Sequence, residues 1–212
     1  AASGLATDLL ACQDARILAV FGAGLQARTQ IEAIMTVRPV QKIYIFEQNK
    51  IKAQKLAEGF HNRKNLQVKV TDNLSELQQA EIISTATTSD VPVFSDNFIS
   101  PGVHINAIGA FKPGSREVPS ETVRRAKIVV DQREACLKEA GDLLIPMAEG
   151  MITAEHLHAE IGELILGSKP GRASDQEITL FKSVGHAVQD LLAAGVVLSY
   201  SREHQLGTEL VL

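Results

Sequence analysis

The chain has 212 residues, of which 45% are hydrophobic and 22% charged, so collagen-like, coiled-coil and disordered chains are excluded. At this length one large domain or two small ones can bury about 70% of the unfolded surface. Lys and Arg total 21 against 25 Asp and Glu, a net charge of −4, and aromatics are 4% with no Trp. The chain therefore lacks both the basic footprint and the stacking platform of a nucleic-acid binder.

In chain order, Ala1 to Asp8 carries neither a basic leader nor an initiator Met, which reads as an internal start in a longer protein and not as a signal peptide. Short apolar runs then alternate with helical patterns. Strands are expected at Ile17 to Phe21, Lys42 to Phe46, Gln67 to Val70, Glu81 to Ser84, His104 to Ile108 and Lys127 to Val130, with a seventh candidate at Ile178 to Phe181. Helices are expected at Gly24 to Met35, Lys50 to His61, Leu74 to Gln79, Ser120 to Arg125, Ala154 to Leu166 and Val184 to Arg202. The alternation predicts an α/β fold, a doubly wound, mostly parallel Rossmann sheet with helices on both faces. Residues before about 14 and after about 184 read as helical flanks that need another surface, in a missing or partner domain. The apolar run Leu191 to Tyr200 is half of what a bilayer span requires, so no membrane contact is expected.

The chemistry sits where the first strand meets the first helix. Gly22-Ala23-Gly24-Leu25-Gln26-Ala27 is a G-x-G-x-x-A turn: Gly22 permits the tight bend, Gly24 lets the backbone approach a diphosphate, and Ala27 keeps helix and strand close. A diphosphate would rest on the helix N-terminus, where free N–H groups and the dipole favour anions. The second strand ends at Glu47, placed to accept from an adenosine ribose hydroxyl and to repel a 2′-phosphate. NAD(H) is the expected cofactor, and Lys50 leaves NADP(H) open.

Other constellations are weaker. Ser84-Thr85-Ala86-Thr87-Thr88-Ser89 lies where the first and fourth strands part and could line a ribose or nicotinamide, although it is equally an ST-rich turn. Gly109 to Glu117 follows a strand and carries Pro113 and Gly114, the better functional loop; Gly167 to Asp175 is a polar link that could be a lid or a connection. His156 and His158 would face different sides of a helix, so no metal is expected. Ser183 lacks a G-x-S-x-G elbow and reads as a strand-to-helix cap. Cys12 and Cys136 read as idle thiols in a reducing cytoplasm.

Over nearly its whole length the chain resembles the ornithine cyclodeaminase/mu-crystallin family, through FGAGLQARTQIEAI at Phe21 to Ile34, TATTS at Thr85 to Ser89, INAIGAFKPGSREVP at Ile105 to Pro119, EAGDLLIP at Glu139 to Pro146 and GRASDQEITLFKSVGHAVQD at Gly171 to Asp190. The resemblance implies a Rossmann domain over residues 14–183, a linking helix in 1–13, and a C-terminal helix in 184–212 that packs toward a dimerisation domain. That domain is built mainly from an N-terminal segment of roughly a hundred residues, a usual domain size, and the resemblance places the start of this chain just after it. Family diphosphate contacts fall on Gly24 and Leu25, the ribose acid on Glu47, and a dinucleotide contact on Thr85. The loop beside the nicotinamide falls on Ile108, Gly109 and Ala110, and a serine near nicotinamide and substrate on Ser183.

One departure matters. Cyclodeaminases of the family read G-A/G-D, the Asp shuttling protons, and here that position is Phe111. A phenyl ring cannot transfer protons, whereas reduction of a protonated cyclic imine needs only hydride. The expected function is an NAD(P)H-dependent ketimine reductase of the pyrroline-2-carboxylate type or an amino-acid dehydrogenase, with an amino or imino acid substrate lined by Phe111 and Ser183, working as a homodimer. The alternatives are ornithine cyclodeaminase, with Asp131 or Glu117 replacing the missing acid, and a non-catalytic dinucleotide binder of the mu-crystallin kind.

Overall fold

The computed structural model describes residues 1–208, so the last four positions of the 184–212 segment lie outside the described residues. Along the chain run α1 (Ala2–Leu10), β1 (Ile17–Phe21), α2 (Leu25–Val37), β2 (Lys42–Phe46), α3 (Lys50–Glu58), β3 (Gln67–Val70), a 3-10 turn at Leu74–Gln79, β4 (Ile82–Thr85), a second such turn at Asp96–Phe98 and β5 (His104–Ala107). There follow α4 (Ser120–Arg125), β6 (Lys127–Val130), α5 (Arg133–Glu139), α6 (Gly141–Ala148), a third 3-10 turn at Ala154–His156, β7 (Leu157–Glu160), α7 (Ile161–Ile165), β8 (Thr179–Lys182) and α8 (Ala187–Glu203). The strands form one sheet in the order β3-β2-β1-β4-β5-β8-β6-β7. Every ladder is parallel.

The Rossmann expectation is therefore met, with the wind reversing between β1 and β4. β4, β5 and β8 are buried at every position. Parallel strands covered on both faces bury every position, so their runs are mostly apolar, and the buried polar exceptions His104, Asn106 and Lys182 have polar partners. On one face Leu18, Val20, Ile43 and Ile45 pack against Ile31 and Ile34 of α2 and Leu56 of α3. On the other, Phe21, Phe46, Ile83 and Ile105 meet Phe94, Val123 and Leu143, with Phe21 and Phe46 stacked at 4.6 Å.

Strand bounds shift by one residue from expectation at β4, β5 and the seventh candidate, now β8. Two differences are larger. The helix expected over Ala154 to Leu166 is instead a 3-10 turn, strand β7 and the short α7. Leu157, Ile161 and Leu164 have helical spacing, but Leu157–Glu160 pairs along one side with β6 as the edge strand of the sheet, which buries Leu157 and Ala159. Thr153 does cap this segment, in a box with His156, yet the turn it opens lasts three residues. Helices α5 and α6 were not foreseen: they are short and share the junction Ala140, and Pro146 sits inside the second.

The N-terminal flank finds its surface within the chain. α1 buries Ser3, Gly4, Ala6, Thr7 and Leu10. A Cβ on Gly4 would lie 3.2 Å from Ala33 Cβ, so the helices meet backbone to backbone. The α1 C-terminus is latched by Arg38, whose guanidinium donates to the carbonyls of Thr7, Asp8, Ala11, Cys12 and Val37. α8 differs: none of its residues is buried, and Leu191, Leu192, Val196 and Val197 are exposed. Among the described residues no helix is long and apolar enough to cross a membrane.

Candidate functional site

The carboxyl ends of β2, β1, β4, β5 and β8 lie side by side, and nearly every residue singled out by sequence sits on that edge. Gly22 leaves β1 at φ +100°, its N–H donating to the Phe46 carbonyl at 2.9 Å. A Cβ there would stand 2.5 Å from the Ala86 carbonyl oxygen, so only glycine fits. Gly24 is the N-cap of α2 and has no side-chain cap; a Cβ on it would meet nothing within 4 Å. The N–H groups of Leu25, Gln26 and Ala27 have no intrahelical acceptor. With no acidic residue in the first turn, this helix start is an open anion cradle that fits a diphosphate. Ala27 is fully buried in the α2 core, as the close-packing role of the third small position requires.

Glu47 stands at the rim of that cradle. One carboxylate oxygen accepts from Ala23 N–H at 3.0 Å and the other from Asn49 N–H at 2.9 Å, which holds the acid beside the glycine turn. Lys50 pairs with Asp72 on the surface instead of pointing into the cradle.

On the other side of β1 the loops after β4 and β5 converge on Glu117. This carboxylate has no solvent exposure and accepts five hydrogen bonds: from Thr85 Oγ1 at 2.8 Å, Thr87 N at 2.6 Å, Thr87 Oγ1 at 2.7 Å, Gly109 N at 2.7 Å and Ala110 N at 3.2 Å. Behind it, Asp142 accepts from the backbone N–H of Glu117 and Val118 at 2.7 and 3.0 Å. Asp142 also pairs with Lys182 at 2.9 Å, both side chains fully buried, and Lys182 Nζ donates to the Ala110 carbonyl. Thr85, Ala86, Thr87, Ile108, Gly109 and Ala110, singled out by sequence, lie together on this edge. Asp142 and Lys182 join them without having been singled out; their signal in the sequence is a charged residue inside the apolar segment ITLFKSV and an acid just after EAG.

Phe111 follows Ala110 and is 57% exposed, with Lys112 Nζ 5.8 Å from its ring centre. Its loop is pinned: the Lys112 carbonyl accepts from Ser115 N–H, and a Cβ on Gly141 would stand 2.6 Å from that same carbonyl oxygen. Ser183 follows β8 on the same edge, but it does not cap α8, which is capped by His186. The Ser183 hydroxyl donates to Asp131 at 2.6 Å, and Asp131 also accepts from Val184 and Gly185 N–H. Both acids considered as replacements for the missing Asp are thus engaged with protein donors.

His156 closes its 3-10 turn and His158 bonds the Pro170 carbonyl from the sheet edge. Among the described residues no group of three His, Cys, Asp or Glu is placed to hold a metal. Cys12 and Cys136 are unpaired, and burial pushes the Cys136 thiol up, with Asp131 adding to the shift. A concavity of about 680 Å³ opens at the opposite, amino edge of the strands beside Arg16, Lys42, Gln67 and Glu81. Ligands of open parallel sheets bind at the carboxyl edge, where the cradle lies.

The model of the ornithine cyclodeaminase/mu-crystallin family matches residues 1–205. The chain belongs to that family. It is 41% identical over 209 residues to a Delta(1)-pyrroline-2-carboxylate reductase of Bacillus cereus, covering 98% of this chain and 64% of the relative. The Thermococcus litoralis Delta(1)-pyrroline-2-carboxylate reductase, solved with NADH and L-proline, superposes with a TM-score of 0.94 at 41% identity, over 99% of this chain and 65% of that one. An archaeal alanine dehydrogenase dimer with bound NAD superposes with a TM-score of 0.91 at 32% identity, over 100% of this chain and 65% of that one. The chain thus spans slightly less than two thirds of the length of these relatives.

Proposed function

We propose that the intact protein is an NAD(H)-dependent reductase of cyclic imino acids of the pyrroline-2-carboxylate type. The observation that carries the reading is Phe111, an exposed aromatic ring on a pinned loop at the position of the cyclodeaminases' Asp. A phenyl ring packs against a cyclic imine but moves no proton, and a protonated imine needs none moved before hydride arrives.

In this reading Gly22, Ala23, Gly24, Leu25 and Gln26 cradle the diphosphate, and Glu47 accepts from the adenosine ribose. Thr85, Ala86 and Thr87 line the dinucleotide, Ile108, Gly109 and Ala110 border the nicotinamide, and Phe111 and Ser183 meet the substrate. When bound, the nicotinamide supplies hydride. Residues 14–183 are the dinucleotide-binding domain, 1–13 link it to a preceding domain, and 184–212 pack toward a dimerisation domain. The bare apolar surface of α8 fits a homodimer, and two unpaired cysteines fit a cytoplasmic protein.

The full-length protein tests this. NADH is expected to be consumed with a five- or six-membered cyclic imino acid, with ammonia release from ornithine at background. Ammonia release without imine reduction would establish the cyclodeaminase reading, and cofactor binding without turnover the mu-crystallin-like one. NADH is expected to bind at least several-fold more tightly than NADPH, about 1 kcal/mol or more, because Glu47 faces the 2′ position. Tighter NADPH binding would remove that assignment.

A further inference from the structure

We propose that Glu117 is a positioning residue for hydride transfer: its buried carboxylate sets the distance between the Thr85–Thr87 loop and the Gly109–Phe111 loop, and with it the approach of nicotinamide to substrate. This rests on the function proposed above.

Beyond the backbone bonds by which the Thr85 carbonyl accepts from Ile108 and Gly109 N–H, Glu117 is, among the described residues, the side chain bonded to both loops. Its five donors include three backbone N–H groups, which cannot be turned away. A carboxylate has about four lone-pair positions, so none is left for substrate or for a travelling proton; Glu117 acts through what it holds. The loops touch directly beside it, since a Cβ on Gly109 would stand 2.6 Å from Thr87 N. The carboxylate is itself fixed from behind: Glu117 N–H donates to Asp142, and the Glu117 carbonyl accepts from Val93 N–H at 2.9 Å. Ala110 is gripped twice, at its N–H by Glu117 and at its carbonyl by Lys182. The next residue is Phe111, so the ring starts from an immobilised peptide.

Three fully buried charged side chains in a row are a costly way to stabilise a loop, because apolar residues of the same volume often do as well. What charges add is direction. A cofactor and a substrate held to within a fraction of an ångström react far faster than a loosely held pair, and a misplacement of about 1 Å costs about a hundredfold.

The test is Glu117→Gln in the full-length protein. Whichever way the amide turns, its NH2 meets a backbone N–H of Thr87 or of Gly109 and Ala110. We expect kcat for imine reduction to fall roughly 10- to 100-fold, KM for the imine to change little, and the primary isotope effect with C4-deuterated NADH to rise as hydride transfer becomes limiting. Leu10→Ala, at the end of α1 where the Leu10 carbonyl accepts from Thr179 at the start of β8, is the control: it lowers Tm while leaving kcat and the isotope effect unchanged. A folded Glu117→Gln with wild-type kcat and isotope effect overturns the proposal. Should that variant not fold, the double variant Thr85→Val and Thr87→Val keeps the carboxylate and removes both hydroxyl donors; a several-fold loss of kcat with a raised isotope effect supports positioning, and unchanged kinetics overturn it. A wild-type protein that reduces no cyclic imine refutes the proposed function alone. Positioning is then read from NADH fluorescence: a dissociation constant weakened about tenfold in Glu117→Gln but not in Leu10→Ala supports it, and equal affinities overturn it.

Discussion

α1 and α8 are both flanking helices rich in small and apolar residues, yet one is welded to the sheet and the other stands bare. α1 presents Ser3, Gly4, Ala6 and Thr7, small enough for α2 to approach to backbone contact, and its C-terminal carbonyls end on the buried Arg38. α8 presents Leu191, Leu192, Val196, Val197 and Tyr200 to solvent and closes no cap or charge onto the body. Apolar content alone therefore does not decide where a helix packs. Close approach and satisfied helix ends do, since unpaired terminal carbonyls must find donors.

The largest expected effect tests the latch. Arg38→Met removes one donor from each of five carbonyls, of which those of Thr7 and Cys12 keep a backbone N–H, and should lower unfolding free energy by about 3–5 kcal/mol. Urea unfolding measures this, and a loss under about 1 kcal/mol would mean that α1 is held by its small-residue contact instead.

A smaller effect concerns the seam between α1 and the sheet. His104 Nδ1 lies 2.9 Å from Thr179 Oγ1, Nε2 lies 3.3 Å from Asn106 Oδ1, and Asn106 donates to Thr7 of α1. Burial, with Arg172 and Arg38 nearby, pushes its pKa down to about 3. The unfolded chain binds a proton below about pH 6.5 and the folded one does not until far lower, so stability is full at neutral pH and falls as the solution is acidified. Between pH 6.5 and 5 the loss should be about 2 kcal/mol. His104→Gln should cost stability at pH 7 and flatten this slope; an unchanged slope would place the acid sensitivity elsewhere.

The smallest effect is the sharpest contrast. In the 212-residue chain on its own, Leu191→Ser should change stability by under about 0.5 kcal/mol, because Leu191 is 71% exposed. The same substitution at the fully buried Leu10 should cost about 3 kcal/mol or more. If Leu191→Ser were equally costly, α8 would have to fold back onto the body.

Much of the glycine-turn side of the candidate site was legible. Gly22, Gly24, Ala27 and Glu47 are read from local spacing, because a strand, a tight turn and a helix start are made by neighbours in the chain. Phe111 was legible as a departure from a motif. The loop clamp was not: Glu117 had been considered as a substitute acid, and only the folded chain shows its carboxylate filled by Thr85, Thr87, Gly109 and Ala110. Nothing in the spacing of Glu117, Asp142 and Lys182 says that they are stacked.

The sequence by itself determined most of the parallel sheet, because short, mainly apolar runs alternating with helical patterns bury best as strands covered on both faces, and it determined the glycine turn at β1, because only a residue without Cβ survives against Ala86. Tertiary structure alone decided that β8 slides between β5 and β6, with Lys182 opposite both Ala107 and Val130. It also decided that Leu157–Glu160 is a strand despite its helical spacing. In each case the deciding partner lies far along the chain, and a backbone takes the conformation in which distant neighbours satisfy its N–H and carbonyl groups.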